Sequence, residues 1–165
     1  MDTNPTHPVV KLGVSPPYEL VCSTAFLLKR LGWAIKDRTV AAFEAAGENA
    51  FHYSVLAVLE ESARETQATI ADALGYDRSW LVGLLDELEE AGLIERRRDP
   101  TDRRRHLVSL EPAGKKKLAE LRAISRGVED EFLEPLEPAQ RQELHAILLQ
   151  LATHHDPRYA CNVAG

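Results

Sequence analysis

Residues 93–110 have the sequence Leu93-Ile94-Glu95-Arg96-Arg97-Arg98-Asp99-Pro100-Thr101-Asp102-Arg103-Arg104-Arg105-His106-Leu107-Val108-Ser109-Leu110. Apolar and polar residues alternate at the two ends of this segment, which is the pattern of half-buried β-strands. The Asp-Pro-Thr-Asp between the two arginine triplets favours a turn. We therefore predict a two-stranded antiparallel hairpin with an arginine-rich tip.

The arginine-rich tip concentrates positive charge on an acidic chain. Six arginines and two aspartates give residues 96–105 a formal charge of +4, so the other 155 residues carry −10 to reach the total of −6. Arginine binds phosphate oxygens and guanine edges through its planar fork, and a basic loop on an acidic body orients a polyanion toward one surface. Nucleic acid is therefore one candidate partner, and a solvated loop without a partner is the alternative.

The overall composition is that of an ordinary globular protein. The 165 residues are 44% hydrophobic and 28% charged, which suits one domain with its own core. No apolar run approaches the ~20 residues of a membrane span, and the N-terminus does not resemble a signal peptide, so a cytoplasmic protein without membrane contact is predicted. Cys22 and Cys161 show no disulfide or metal-ligand spacing, and the histidines have no ligands nearby. We predict no metal site and no cofactor.

Helical periodicity extends from the hairpin in both directions. Before the hairpin, apolar spacing predicts a long helix over 18–45, a shorter helix from Phe51 and a third that ends at Leu74. Gly75 is expected as its left-handed cap, and Asp77 as the N-cap of a fourth helix that reaches Glu90. After the hairpin, Pro112 and Pro138 are each expected to open a long helix.

These elements predict one domain with an extension at each end. Residues 1–17 are expected to form a flexible N-terminal arm, residues 18–156 a single domain, and residues 157–165 a C-terminal tail. The order helix, turn, helix, strand, loop, strand over about 48–111 is that of a winged helix-turn-helix. The predicted fold is therefore mainly α (α+β), with a two-stranded β-wing and long helices at both ends.

The long helices at about 18–45 and 112–153 carry more apolar surface than this core can cover. A homodimer built from those helices would bury the excess. A twofold dimer would fit a pseudo-palindromic DNA site whose half-sites are about 10 base pairs apart.

The helix from Asp77 to Glu90 is the predicted recognition helix. A helix fits a major groove about 12 Å wide, while a hairpin beside it reaches the flanking minor groove or the backbone. Carboxylates crowd the second half of the helix and would repel phosphate, so only its first two turns are expected to enter the groove. The residues predicted to contact DNA from these turns are Arg78, Ser79, Trp80, Val82 and Gly83.

The sequence also resembles a known family. Its motifs are Asp77-Arg78-Ser79, Leu84-Leu85-Asp86-Glu87-Leu88-Glu89, Gly92-Leu93-Ile94-Glu95-Arg96, Asp99-Pro100-Thr101-Asp102-Arg103-Arg104 and Leu107-Val108-Ser109-Leu110 followed by Gly114. With the long flanking helices, this arrangement resembles the MarR family of bacterial transcription regulators over most of residues 18–153. The resemblance implies a homodimer that binds double-stranded DNA, usually as a repressor, and that is released by a small molecule or by oxidation.

The resemblance also assigns roles within the hairpin. Asp102 and Arg104 match an Asp-x-Arg pair in which the carboxylate helps hold the wing and the arginine meets DNA, with Arg103 and Arg105 on either side. The chain departs from the family pattern at Glu111, where threonine is common, and at Gly83, where a polar or basic residue is frequent. The second departure alters base readout, so the operator sequence cannot be taken from a relative.

The sequence offers two candidate sites at which the protein could sense a signal. Cys22 corresponds in place to the reactive cysteine of the hydroperoxide-sensing branch of the family, but few groups nearby would favour the thiolate, so a buried structural thiol is the preferred interpretation. A crevice beside the DNA-binding lobe is where relatives often take an aromatic or phenolic effector. Trp33, Phe51, His52 and Tyr53 are the residues predicted to line it, with simple core packing as the alternative.

Other functional classes find little support in the sequence. Nucleophile elbows, zinc-protease motifs and phosphate-binding glycine loops do not occur, so an enzyme is not predicted. The acidic second half of the recognition helix leaves one further alternative, a winged-helix module that binds protein without specific DNA binding. Steep salt dependence of binding would distinguish DNA recognition from this alternative.

Overall fold

The computed structural model of the chain describes residues 15–61, 65–102 and 105–161. Its helices and strands follow the predicted order, and the mainly α winged helix-turn-helix fold is confirmed. The elements are α1 (Tyr18–Val21), α2 (Thr24–Ala45), α3 (Ala50–Glu61), β1 (Glu65–Thr66), α4 (Gln67–Leu74), α5 (Arg78–Glu90), β2 (Ile94–Arg98), β3 (His106–Leu110), α6 (Pro112–Phe132), α7 (Pro138–His155) and a 3-10 helix (Pro157–Cys161).

The long helix predicted over residues 18–45 is interrupted near its start. Ser23 has an extended backbone (φ −89°, ψ 112°), and its hydroxyl oxygen accepts a hydrogen bond from the Phe26 N–H at 3.3 Å. A serine at this position stabilises the start of a helix. The cap therefore favours a new helix that begins after Ser23 over one continuous helix that runs through Cys22. The prediction of one continuous helix is therefore wrong, and a short α1 precedes the 22-residue α2.

The wing belongs to a three-stranded sheet rather than to an isolated two-stranded hairpin. The strand order is β1-β3-β2, and both pairings are antiparallel. The hairpin register opposes Ile94 to Leu110 and Arg98 to His106, as the alternating pattern predicts. The additional strand β1 pairs Glu65 with Val108 and joins the wing to the start of α4.

One core connects the recognition helix to the surrounding elements. Leu81, Leu84, Leu85 and Leu88 form the buried stripe of α5, as predicted from their spacing. This stripe packs with fully buried side chains from α2, α3, α4, β3 and α6: Phe43, Val55, Leu56, Ile70, Val108, Leu118 and Leu121. The apolar packing therefore fixes α5 relative to the wing.

The start of α6 lies directly against the hairpin. Pro112 occupies its first turn, as predicted, and the backbone N–H of Glu111 donates to the Leu93 carbonyl at 3.0 Å. A Cβ at Gly114 would lie only 2.1 Å from the same carbonyl oxygen. Only glycine therefore allows α6 to approach the strand this closely.

The C-terminal elements carry apolar surface that the single chain does not cover. None of the residues of α7 is buried, and Ile147, Leu148 and Leu151 are exposed. The 3-10 helix after α7 lies where a plain tail was predicted. The Arg158 side chain donates to the Asp72 carbonyl in α4 at 2.7 Å, so this segment contacts the helix-turn-helix.

Candidate nucleic-acid interface

A short turn between α4 and α5 sets the direction of the recognition helix. Gly75 caps α4 in the left-handed conformation (φ +67°), as predicted, where a residue with a Cβ is strained. The next N–H, from Tyr76, donates to the Ala71 carbonyl at 2.9 Å. The chain then becomes extended at Asp77 and enters α5.

Asp77 caps the recognition helix, as its position predicts. Its Oδ1 accepts hydrogen bonds from the backbone N–H groups of Ser79 and Trp80 at 2.9 and 3.0 Å, and from the Ser79 hydroxyl. The Ser79 hydroxyl, and then the Trp80 N–H, hold the pKa of Asp77 below its ordinary value. A charged cap is thus fixed at the end of α5 that is expected to face DNA.

The residues predicted to contact DNA from α5 are all exposed: Arg78, Ser79, Trp80, Val82 and Gly83. At about 100° per residue, Ser79 and Gly83 lie one turn apart in the middle of the exposed face, with Trp80 and Val82 on its two sides. A Cβ at Gly83 would meet no atom within 4 Å. This surface therefore carries only small side chains at its centre and apolar side chains along its two edges.

Trp80 is held by two other aromatic rings. The Phe51 ring centre lies 4.7 Å from that of Trp80 with an interplanar angle of 90°, and the Tyr76 ring lies at 5.0 Å and 79°. Edge-to-face pairs of this kind stabilise each other beyond the area they bury. The indole is therefore fixed between α3 and the α4–α5 turn while 43% of Trp80 remains exposed.

The acidic second half of α5 is largely paired with basic groups of the same chain. Arg96 of β2 contacts Asp86 at 2.6 Å and Glu89 at 2.5 Å, and its backbone N–H donates to Glu89 at 3.0 Å. On the other side of the helix, His52 Nε2 lies 2.8 Å from a Glu87 oxygen. The two contacts of the Arg96 side chain reduce the repulsion of phosphate that the sequence suggests, and they commit Arg96 to a structural position.

The Arg96 contact also favours the charged form of Glu89. The side-chain hydrogen bond from Arg96 lowers the pKa of Glu89 below its ordinary 4.5, and the same hydrogen bond raises the pKa of Arg96. Both groups are therefore charged at neutral pH. From the sequence, Arg96 counts only as one of the basic residues of the tip, because no local pattern links it to Glu89, seven residues earlier.

The wing tip is a hydrogen-bonded turn. The Asp99 side chain accepts from the Thr101 N–H and hydroxyl at 2.7 and 2.6 Å, which holds the pKa of Asp99 below its ordinary value. The backbone N–H of Asp99 donates to the Arg105 carbonyl at 3.0 Å and closes the tip. Arg105 Nε lies 3.3 Å from an Asp102 oxygen, so these two side chains pair within the tip, and the role of Asp102 in holding the wing stays a prediction.

The structure describes three of the remaining arginines of the tip and leaves two of them outside the described residues. Arg97 is paired with Glu95 at 2.6 Å but remains well exposed, as are Arg98 and Arg105. Arg103 and Arg104, the residues predicted as the main DNA contacts of the wing, lie outside the described residues. Their roles therefore remain predictions from the sequence and from the family resemblance.

The four residues predicted to line an effector crevice have different neighbours. Phe51 contacts Trp80 and His52 contacts Glu87, whereas the Tyr53 ring lies 6.0 Å from that of Phe43 in the core.

The fourth residue, Trp33, lies on α2, with Lys29 Nζ 4.6 Å from its ring centre. Two of the four residues therefore connect α3 to the recognition helix. The prediction that all four line one ligand site remains a prediction.

Cys22 has an environment different from the one expected. It is exposed in the single chain, because the break between α1 and α2 places it on the surface, so the preferred interpretation of a buried thiol is wrong there. Within residues 15–61, 65–102 and 105–161, no three side chains of His, Cys, Asp or Glu come together as a metal ion would require. None of the helices in the described part of the chain is both long and apolar enough to cross a membrane.

Known proteins share both the sequence and the fold. Residues 49–105, which include the helix-turn-helix, strand β2 and the arginine-rich tip, match the model of the MarR family. The chain is 34% identical over 99 residues to a protein of Thauera aromatica described as a transcriptional regulator of the hcr operon, and the match spans 60% of each chain. It is 32% identical over 98 residues to the transcriptional regulator HosA of Escherichia coli O111:H-, spanning 59% of this chain and 72% of HosA.

A solved structure extends the match to most of the chain. The transcriptional repressor CouR, bound to a 23-mer DNA duplex, is 29% identical and superimposes with a TM-score of 0.74 over 85% of this chain and 99% of CouR. CouR of Rhodococcus jostii RHA1 has also been solved with p-coumaroyl-CoA, and that structure is 27% identical with a TM-score of 0.68 over 82% of this chain and 96% of CouR. The sequence matches point to the same family as the helix-turn-helix and the wing of the fold. This chain belongs to the MarR family of transcription regulators.

Proposed function

We propose that the protein is a homodimeric repressor that binds a pseudo-palindromic site in double-stranded DNA and is released by a small aromatic or phenolic ligand. The observation that carries the DNA-binding part is the position of the start of α5. Asp77 caps this end, Trp80 is fixed beside it, and the arginines of the wing follow on the adjacent hairpin. The DNA-bound CouR supports this assignment, since its chain matches over most of the length.

The wing supplies affinity in this proposal, and the recognition helix supplies sequence choice. Arginine contacts with phosphate release counterions, so binding should weaken steeply with salt. The pairing of Asp86 and Glu89 with Arg96 also leaves the helix less repulsive to the duplex than its sequence suggests.

Dimerisation follows from apolar side chains exposed on the terminal helices. Leu28 and Leu31 of α2 are exposed, and they line a cavity of about 470 Å³ together with Leu148 of α7. Exposed apolar surface of this extent on helices at both ends of the chain favours association with a second copy. A twofold dimer would present two copies of α5 to successive major grooves.

The contacts between α3 and α5 offer a route for ligand release. Phe51 touches Trp80, and His52 pairs with Glu87, so a molecule that displaces either side chain would also move the recognition helix. CouR has been solved with p-coumaroyl-CoA, which supports a ligand with a phenolic group. Titration of the native protein with phenolic carboxylic acids, followed by tryptophan fluorescence and by release from DNA, would test this part.

A redox-responsive regulator is the second candidate because Cys22 is exposed in the single chain. Peroxide would then oxidise the thiolate and release the protein from DNA. Treating the native protein and Cys22→Ser with hydrogen peroxide distinguishes the two candidates. Release of the native protein alone supports the redox candidate, whereas equal behaviour of both proteins excludes Cys22 as the sensor.

The central experiment measures binding to DNA selected by the full-length protein from a random duplex library, over a range of salt. Replacement of both Arg103 and Arg104 by Ala should weaken binding and lower the salt slope, by about 0.9 for each phosphate that is no longer neutralised. Arg126→Ala removes one exposed arginine charge from α6, away from the wing, and serves as the control. Binding that is insensitive to salt and to the wing substitutions would favour the protein-interaction module instead.

A further inference from the structure

The exposed start of α5 has few hydrogen-bonding groups available to read base edges. The Ser79 hydroxyl already donates to Asp77, and Arg78 lies 3.5 Å from Asp72 on α4. Gly83 has no side chain, and the side chain of Val82 is wholly apolar. Direct readout of guanine or adenine normally uses paired donors and acceptors from long polar side chains. Arg78, whose side chain is 71% exposed, is the one residue of this set with such a side chain, so the start of α5 is otherwise poorly equipped for that kind of readout.

The apolar side chains on the same face are well placed for a different readout. Trp80 is 43% exposed and Val82 is 40% exposed, one on each side of the line through Ser79 and Gly83. Gly83 lies in open space, so the helix backbone can approach the base edges closely between these two side chains. The absence of a side chain at this point is thus useful rather than neutral.

The Trp80 ring is ordered before any ligand arrives. Phe51 and Tyr76 contact it edge to face, with ring centres at 4.7 and 5.0 Å. A side chain that is already immobilised loses little entropy when it makes a new contact. Its exposed surface is therefore a rigid apolar element next to the helix start.

The major groove presents one apolar group on the four natural bases, the 5-methyl group of thymine. Against cytosine, adenine or guanine, an indole or isopropyl group would instead cover polar edge atoms without replacing all their hydrogen bonds to water. We propose that Trp80 and Val82 read thymine methyl groups, so that each operator half-site has thymines at the positions that face the start of α5. This inference rests on the DNA binding proposed above and adds the basis of sequence choice.

The test replaces thymine by deoxyuridine, which removes the methyl group and keeps the base pair. Duplexes selected by the full-length protein from a random library are resynthesised with uracil at single thymines inside the protected site. We expect affinity to fall by about fourfold at each thymine contacted, the factor for one buried methylene group. Uracil outside the protected site provides the DNA control and should leave affinity unchanged.

Two protein variants connect the methyl group to its reader. With Val82→Ala or Trp80→Phe, the difference between thymine and uracil should shrink at one position of the half-site. Val82→Ala is the safer variant for folding, because Val82 is exposed and alanine favours helix. Ser79→Ala serves as the matched control: it can lower affinity, but the ratio between thymine and uracil duplexes should persist.

The outcomes separate the two proposals. Failure to enrich any sequence overturns the proposed DNA-binding function and the readout with it. Enriched sites that bind equally well with uracil at every thymine overturn the readout alone. Loss of affinity with uracil that Val82→Ala and Trp80→Phe both leave unaltered also overturns it, since the methyl groups would then contact other residues.

Discussion

Arg96 and Glu89 are joined through both backbone and side chain. The Arg96 N–H donates to one carboxylate oxygen of Glu89 at 3.0 Å, and the guanidinium Nε donates to the other at 2.8 Å. The side chain of Arg96 is only 19% exposed, and that of Glu89 is 37% exposed. This two-point contact joins strand β2 to the last turns of α5.

Replacing Arg96 by Ala should destabilise the protein. Glu89 and Asp86 would lose their shared cation in a partly buried setting, which costs about 1–3 kcal/mol of the free energy of unfolding. Urea unfolding followed by circular dichroism measures this difference. Arg98→Ala, at an exposed position of the same strand, is the matched control and should change stability by less than about 0.5 kcal/mol.

The same contact predicts a pH dependence. The pKa of Glu89 is lowered in the folded state, so its contribution to stability is complete above the ordinary value of 4.5 and is lost as the pH falls through the lower folded value. Native protein should therefore exceed Glu89→Gln in unfolding free energy at pH 7, and the gap should narrow below about pH 4.5. A gap that stays constant between pH 7 and pH 3 would show that the charge of Glu89 is irrelevant.

Gly114→Ala should be severe for a steric reason. The new Cβ would lie 2.1 Å from the Leu93 carbonyl oxygen, so α6 would have to move away from the hairpin. Overpacking of this kind costs about 1–3 kcal/mol or more. Thermal unfolding measures the effect as a lowered Tm.

Gly127→Ala provides the control in the same helix. Its Cβ would meet no atom within 4 Å, so the higher helix propensity of alanine should leave the protein as stable or up to about 1 kcal/mol more stable. Equal destabilisation by the two substitutions would mean that the close approach to Leu93 is not what requires glycine at position 114.

The Asp77 cap should affect stability. Asp77→Ala leaves the N–H groups of Ser79 and Trp80 without their carboxylate partner and should lower the urea concentration at which the protein unfolds. Asp77→Ser keeps a capping oxygen and should recover most of that stability. If both variants unfold at the same urea concentration as the native protein, the cap contributes nothing measurable.

Local signals predicted the elements that depend on neighbouring residues. The Asp77 cap, the left-handed Gly75 and the leucine stripe of α5 each follow from spacing within a few residues. Ser23 is also a local capping signal, but apolar residues recur at helical spacing both before and after it. The break between α1 and α2 is therefore not evident from the sequence.

Features that depend on distant residues could not be predicted from local patterns. Strand β1 has two residues and no period of its own, and it exists because Glu65 and Thr66 pair with β3 about 40 positions later. The pairing of Arg96 with Asp86 similarly requires the hairpin to fold back along α5. An arginine that lies within a basic run can therefore be committed to a partly buried ion pair within the fold, and charge counting alone does not distinguish it from an arginine that is free to contact DNA.

The exposed leucines of the terminal helices should control oligomeric state. Leu31 is 52% exposed in the single chain and Leu148 is 41% exposed, and both line the same apolar cavity. In the proposed dimer these side chains are covered, so replacing both by Asp would bury unpaired charge at the interface and favour the monomer. Light scattering coupled to gel filtration should show the mass of two chains for the native protein and of one chain for the double variant.

Lys36→Glu, about 140° around α2 from Leu31, is the control and should remain dimeric. A native protein that elutes as a monomer at micromolar concentration would overturn the dimer, and with it the expectation of two half-sites in the operator.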